Sequence, residues 1–205
     1  MTRPRDREAL LVVDVQRDFC PGGALPVPGG HLILPAINAH LAEARDLALT
    51  VYASRDWHPA ITTHFEAYGG EWPPHCVRGS PGAAFHPDLL LPADAIVISK
   101  GDDPSRPGYS AFEGHTPEGQ PLLNSLRDRH IVRLYVCGLA AEYCVKQTTM
   151  DGLRFGLEVA LLTDAIAGID ARPGEADRAM SDMKRAGAEW VAGLAAPSRA
   201  NAADR

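Results

Sequence analysis

Residues 54–64 read SRDWHPAITTH and place Asp56, His58 and His64 within nine positions. Pro59 and the threonine pair make this stretch a poor helix. One carboxylate and two imidazoles at that spacing are ligand types for a divalent cation. His75, in EWPPHCVRGSPGAAFHP, offers a third imidazole. The mixed set suits Zn²⁺, Mn²⁺ or Fe²⁺, one ion in all. The plain alternative is loop packing, with rings hydrogen-bonded to backbone. His86 and His115 are left with that alternative.

Further reactive groups stand where short apolar runs end. Asp14 closes the run that starts at Ala9, Asp56 and His58 follow Leu49–Ser54, and Lys100 follows Ala95–Ser99. Cys144 comes shortly after Ile131–Gly138, and Asp164 follows Leu157–Thr163. Any one of these could merely meet solvent, but five together point to a site. In VCGLAAEYC the thiol of Cys144 falls in the first turn of an expected helix. The positive helix end, with Lys100 nearby, would favour the nucleophilic thiolate. Asp14 is then the candidate base that takes the thiol proton and returns it to a leaving group. A buried, inert cysteine is the rival reading of Cys144 alone. No histidine is required as base, which separates this set from a Cys–His pair.

The elements that must position these groups alternate along the chain. The apolar runs, Ala9–Val15 first, read as strands buried on both faces. Helical patterns cover His31–Ala48, Pro121–Arg129, Ala141–Phe155 and Gly174–Ala186, with glycine stops at Gly156 and Gly187. A last short strand is expected near Glu189–Val191. Strand–helix alternation implies right-handed βαβ units and a parallel sheet between two helical layers, a three-layer α/β fold. In such sheets ligands sit beyond the carboxyl ends of the strands.

Two long non-helical loops, 16–30 and 55–94, fit that placement. The second holds Trp57, Phe65, Trp72, Cys76 and Phe85, too apolar for disorder. Trp57 and Trp72 read first as loop anchors, although an aromatic wall also suits a flat ring.

At 205 residues, 45% hydrophobic and 22% charged, the chain can bury one core, so one domain spanning 1–205 is expected, with 1–7 and 195–205 frayed. A net charge of −6 without basic runs argues against nucleic acid and anionic membrane and for a small-molecule partner. The apolar run near the start is too short for a leader or a membrane span, which reads as cytoplasmic. The four cysteines lack CxxC spacing and are expected to be free thiols. Monomer and homo-oligomer are equally compatible with the pattern.

Taken in order, DVQRDF, SRDWHP, WPPHCVRGSPGAAFHP, ISKG and GLAAEYCV resemble the nicotinamidase/pyrazinamidase branch of the isochorismatase-like cysteine hydrolases, over about residues 9–190. The resemblance implies a six-stranded parallel sheet of order 3-2-1-4-5-6 and an Asp14–Lys100–Cys144 triad. It also implies a metal held by Asp56, His58, His64 and His75, which binds the ring nitrogen of the substrate. A cis peptide between Leu139 and Ala140 is implied, with the N–H groups of Ala140 and Cys144 facing the substrate carbonyl. Phe19, Trp72, Tyr109 and Leu139 match ring-pocket positions. The implied activity is hydrolysis of nicotinamide to nicotinate, and of pyrazinamide, through a cysteine thioester in NAD salvage.

After GLA the family commonly has Thr-Asp where this chain has Ala141 and Glu142, and the segment after His64 lacks a serine often found there. Three rivals remain at this stage. One is a relative acting on another small amide, such as a carbamoyl or ureido group. Another is a catalytically silent metal-binding homologue. The third is a metallohydrolase in which Cys144 is incidental.

Overall fold

The computed structural model of the chain describes residues 5–194. Six parallel strands form one sheet: β1 (Glu8–Val13), β2 (Thr50–Asp56), β3 (Ile96–Lys100), β4 (Arg133–Leu139), β5 (Glu158–Ala167) and β6 (Glu189–Val191). Their order is β3-β2-β1-β4-β5-β6, as the resemblance implied. Every residue of β1 and β4 is buried, which is why these two central strands read as apolar runs, broken only by Glu8 and Arg133 near their starts. Alternate side chains feed opposite cores. Leu10 and Val12 pack with Ile37, Leu41 and Ala44 of α1 (Leu34–Asp46). Ala9, Leu11 and Val13 pack with Leu122 and Leu126 of α2 (Leu122–Asp128) and Met183 of α4 (Glu175–Ala186). Helix α3 (Lys146–Arg154) lies with α4 on that second face.

Three expected boundaries change. Residues 30–33 form a 3-10 turn before α1, so the helix starts later than His31. The helix expected over 141–155 is split. Ala141–Val145 make a widened π-type turn, and regular α-helix begins only at Lys146. Asp164 does not follow the fifth strand but lies inside it. Val136 pairs with Leu161 while Gly138 pairs with Ile166, so β5 bulges and then resumes through Ala167. The polar Thr163–Asp164 step looked like a strand end but is this bulge. Its carboxylate meets His40 Nε2 of α1 at 3.0 Å, away from the other strand-end groups.

Of the expected frayed ends, residues 1–4 and 195–205 lie outside the described residues. Arg5–Arg7 form a 3-10 turn, and Arg5 Nη1 donates to the Leu194 carbonyl at 2.7 Å. Among the described residues, no helix is long and apolar enough to cross a membrane.

Candidate active site

Parallel register brings the reactive groups into one row. Val13 pairs with Ser54 on one side and Gly138 on the other, and Asp56 pairs with Lys100. The carboxyl ends of β3, β2, β1 and β4 therefore open at nearly one level. Asp14 turns out of β1 with φ of 51°. This left-handed position is one that Asp tolerates better than most residues. Its Oδ1 accepts a 2.7 Å hydrogen bond from Ser54 Oγ.

Lys100 is the hub of the buried charges. Its Nζ lies 2.8 Å from Asp14 Oδ2 and 2.5 Å from Asp56 Oδ1, and donates to Cys144 Sγ at 3.3 Å and to the Gly108 carbonyl at 3.1 Å. Asp14, Asp56 and Cys144 each place an oxygen or sulfur within 4.8 Å of the others. Burial alone would lower the Lys100 ammonium, but Asp14 and Asp56 hold it well above the ordinary lysine value. Burial would likewise raise the Asp56 carboxyl, yet Lys100 and then His58 hold it far below the usual carboxylate range. Asp14 goes the other way, raised by burial and by Asp56 against the pull of Lys100.

At Cys144 burial outweighs the pull of Lys100 toward the thiolate. Burial pushes its thiol well above the ordinary value, and the carboxylates of Asp14 and Asp56 add to this against Lys100. The regular helix whose dipole was invoked begins only beyond it. The site therefore holds a neutral thiol beside a carboxylate of raised basicity, a pair that transfers a proton rather than storing a thiolate.

The three imidazoles gather on the other side of Asp56. His58, His64 and His75 each place a ring nitrogen within 4.8 Å of the others. His58 Nδ1 is 2.9 Å from the Gly101 carbonyl, and His75 Nδ1 is 2.8 Å from the Pro73 carbonyl. A carbonyl can only accept, so both Nδ1 atoms carry a proton, and in a neutral ring the lone pair is then on Nε2. These Nε2 atoms converge on Asp56 Oδ2, at 3.5 Å from His58 and 3.9 Å from His75. His58 Nε2 is buried without a hydrogen-bond partner, a costly arrangement unless something binds there. Burial pulls His64 down to about 3 and lowers His75 as well, so both rings are neutral bases. A divalent cation fits the three imidazoles, and Asp56 Oδ2 stands beside two of them.

Between the two groups lies a small, partly open cavity of about 30 Å³, lined by Phe19, Leu25, Asp56, His64, Trp72, His75, Tyr109, Leu139, Ala140, Tyr143, Cys144 and Ile169. Trp72 Nε1 donates to Tyr109 Oη at 2.9 Å, and Trp72 stacks edge-on against Tyr143. Larger clefts beside α4 and at the opposite end of the sheet contain none of the strand-end groups Asp14, Asp56, Lys100 and Cys144.

The structure brings together every residue singled out for the triad, the metal set and the ring pocket. The Leu139–Ala140 peptide is cis. His86 and His115 stand apart, 3.9 Å from Asp88 and 2.9 Å from Asp102 respectively. Trp57 lies under the Arg55 guanidinium, outside the cavity. Sequence reasoning missed Leu25, Tyr143 and Ile169. Tyr143 adjoins Cys144 and could have been inferred, but Ile169 reaches the cavity only because β5 runs past its bulge.

The isochorismatase domain family matches residues 8–193. The nicotinamidase/pyrazinamidase of Mycobacterium tuberculosis is 44% identical over 186 residues, covering 89% of this chain and 97% of that protein. The pyrazinamidase of Pyrococcus horikoshii, solved in complex with zinc, is 45% identical with a TM-score of 0.83, covering 90% of this chain and 98% of that one. The L. infantum protein PnC1, solved in complex with nicotinate, is 34% identical with a TM-score of 0.79, covering 93% and 95%.

Proposed function

The chain belongs to the isochorismatase family, and on that premise we propose that it hydrolyses nicotinamide to nicotinate and ammonia, and pyrazinamide to pyrazinoate, through a thioester on Cys144. The observation that carries this reading is one aromatic-lined cavity bordered by Cys144 as well as by His64 and His75. A flat heteroaromatic amide has a carbonyl for the first and a ring nitrogen for the second.

In the proposed mechanism Asp14 takes the Cys144 proton, and the sulfur attacks the carboxamide carbon. The oxyanion that forms is held by the N–H groups of Ala140 and Cys144. Lys100 stays charged throughout and balances Asp56 and the developing negative charge. Asp14 then gives its proton to the departing nitrogen, which leaves as ammonia. A water enters, loses a proton to Asp14 and cleaves the thioester, giving the acid and restoring the thiol. Asp14 serves because its basicity is raised toward that of the groups it exchanges protons with.

Asp56, His58, His64 and His75 would hold one divalent ion, Zn²⁺, Mn²⁺ or Fe²⁺, whose chemistry there is to bind the ring nitrogen and orient the amide. Phe19, Trp72, Tyr109 and Leu139 enclose the ring. The nicotinate product enters NAD salvage in the cytoplasm. Four unpaired cysteines suit such a reducing compartment.

The test is ammonia release from nicotinamide and pyrazinamide by the metal-loaded protein, with Cys144→Ala alongside. Turnover by the parent and none by the variant supports the reading. A parent that is inactive with each of the three metals would sink it.

A further inference from the structure

The loop leaving β1 does more than deliver Asp14. Gln16 is fully buried, and its carboxamide lies against the backbone of Asp56. Its Oε1 accepts the Asp56 N–H at 2.8 Å, while Nε2 donates to the Asp56 carbonyl at 2.9 Å and to the Ala83 carbonyl at 2.8 Å. Each polar atom of the amide thus faces a partner of the opposite kind, so the amide orientation is fixed. Two residues on, Asp18 Oδ2 accepts the N–H of Cys76 at 2.7 Å, immediately after His75. Asp18 Oδ1 accepts from Ala24 N at 3.1 Å.

Asp56 has two obligations. Its Oδ1 faces Lys100 and its Oδ2 faces the Nε2 atoms of His58 and His75. A carboxylate shared this way must be held against rotation about its own backbone. Beyond its pairing with β3, the strand that carries it is ending, so its N–H and carbonyl need another anchor. Gln16 supplies both bonds from a side chain.

We propose that Gln16 is a positioning residue of the metal centre, fixing the Asp56 backbone so that one carboxylate serves Lys100 and the cation together, with Asp18 as its counterpart behind His75. The inference rests on the metal reading above. Residues that orient a ligand without touching the ion typically cost about 10–100-fold in metal affinity when changed.

The experiment measures zinc affinity of the full chain by competition with a chromophoric chelator, with thermal melts of the metal-free protein. Gln16→Met removes all three hydrogen bonds at similar volume. Gln16→Glu keeps the acceptor and sets an oxygen against two carbonyls. Both are expected to weaken zinc binding by about 10-fold or more. Asp18→Asn should give a smaller loss. Tyr52→Phe, which removes a buried hydrogen bond to Ser125 away from the metal centre, should lower the melting temperature and leave zinc affinity unchanged. If Gln16→Met does not fold, Gln16→Glu and Asp18→Asn are read in the same way. Parent-like zinc affinity in the Gln16 variants that fold would overturn the proposal while the metal reading stands. A parent that binds no zinc would remove the metal reading itself.

Discussion

Lys100 Nζ stands 3.3 Å from Cys144 Sγ, with both side chains buried. The same ammonium neutralises Asp14 and Asp56, so the two residues should separate activity from stability. Cys144→Ala removes the nucleophile and leaves every charge paired. Its turnover should fall by on the order of 10³-fold or more, with stability within about 1 kcal/mol of the parent. Lys100→Met leaves two buried carboxylates without their cation, and should lose activity and about 3–5 kcal/mol as well. Ammonia release and urea unfolding of both variants check this. A Lys100→Met protein as stable as the parent would show that Lys100 is not the counter-charge of the site.

Trp72 and Tyr109 close the cavity through one hydrogen bond between their side chains. Tyr109→Phe keeps the ring and removes only the acceptor, a net loss of about 0.5–1.5 kcal/mol. KM for nicotinamide should rise about 2–10-fold, with kcat changing little, because Tyr109 touches neither Asp14 nor the thiol proton. Trp72→Ala should raise KM further by removing the wall itself. Steady-state kinetics on the three proteins decide the matter. A drop in kcat at constant KM would move Tyr109 from enclosing the ring to the chemical step.

Much of this was legible in the residues because parallel strands buried on both faces read as apolar runs, and the group just past each run faces the site. Asp14, Asp56 and Lys100 were found in that way. Asp164 was misplaced for the same reason, since a bulge and a strand end present the same polar step in a sequence. The burial of Cys144, which opposes the thiolate, gave no signal, whereas a helix end can be inferred from sequence. Ile169 and Leu25 were invisible, as they reach the cavity through loop paths with no periodicity. Gln16 gave no signal either. A buried amide hydrogen-bonded to backbone 40 residues away is a product of the fold.

His115 offers a readout of pH remote from the chemistry. Its Nε2 lies 2.9 Å from Asp102 Oδ2 and its Nδ1 3.0 Å from the Thr116 carbonyl, so the protonated ring is satisfied on both sides. The Asp102 hydrogen bond, then that of Thr116, raises it above 6.5. A raised folded-state value means stability that is complete below the unfolded value of about 6.5 and lost as pH rises through the folded one. The ring is 39% exposed, so solvent screening limits the contribution to at most about 1 kcal/mol. The melting temperature of the parent should exceed that of His115→Gln by up to about 2–4 °C at pH 6, and the gap should close by pH 8 to 9. A gap independent of pH would mean that packing, not charge, accounts for the residue.

Gly138 leaves no room for a side chain. It pairs with Val13 at the end of β1, has φ of 115°, and a Cβ there would lie 2.1 Å from the Val13 carbonyl oxygen. The three nearest atoms are all backbone of Val13, so nothing flexible is there to yield. Any side chain must push β4 from β1 at the level where Asp14 and the Leu139–Ala140 step emerge. Gly156 is the control, also at positive φ, 84°, but with nothing within 4 Å of its Cβ position. Gly156→Ala should cost about 1–2 kcal/mol from backbone conformation alone. Gly138→Ala should cost at least about 2 kcal/mol more, from the added clash, and lose turnover in the fraction that folds. Urea unfolding of the pair isolates the packing contribution, because both carry a left-handed penalty. Equal costs would mean that the strands can part at this point without harm, and that the spacing of Asp14 from the cysteine turn is set elsewhere.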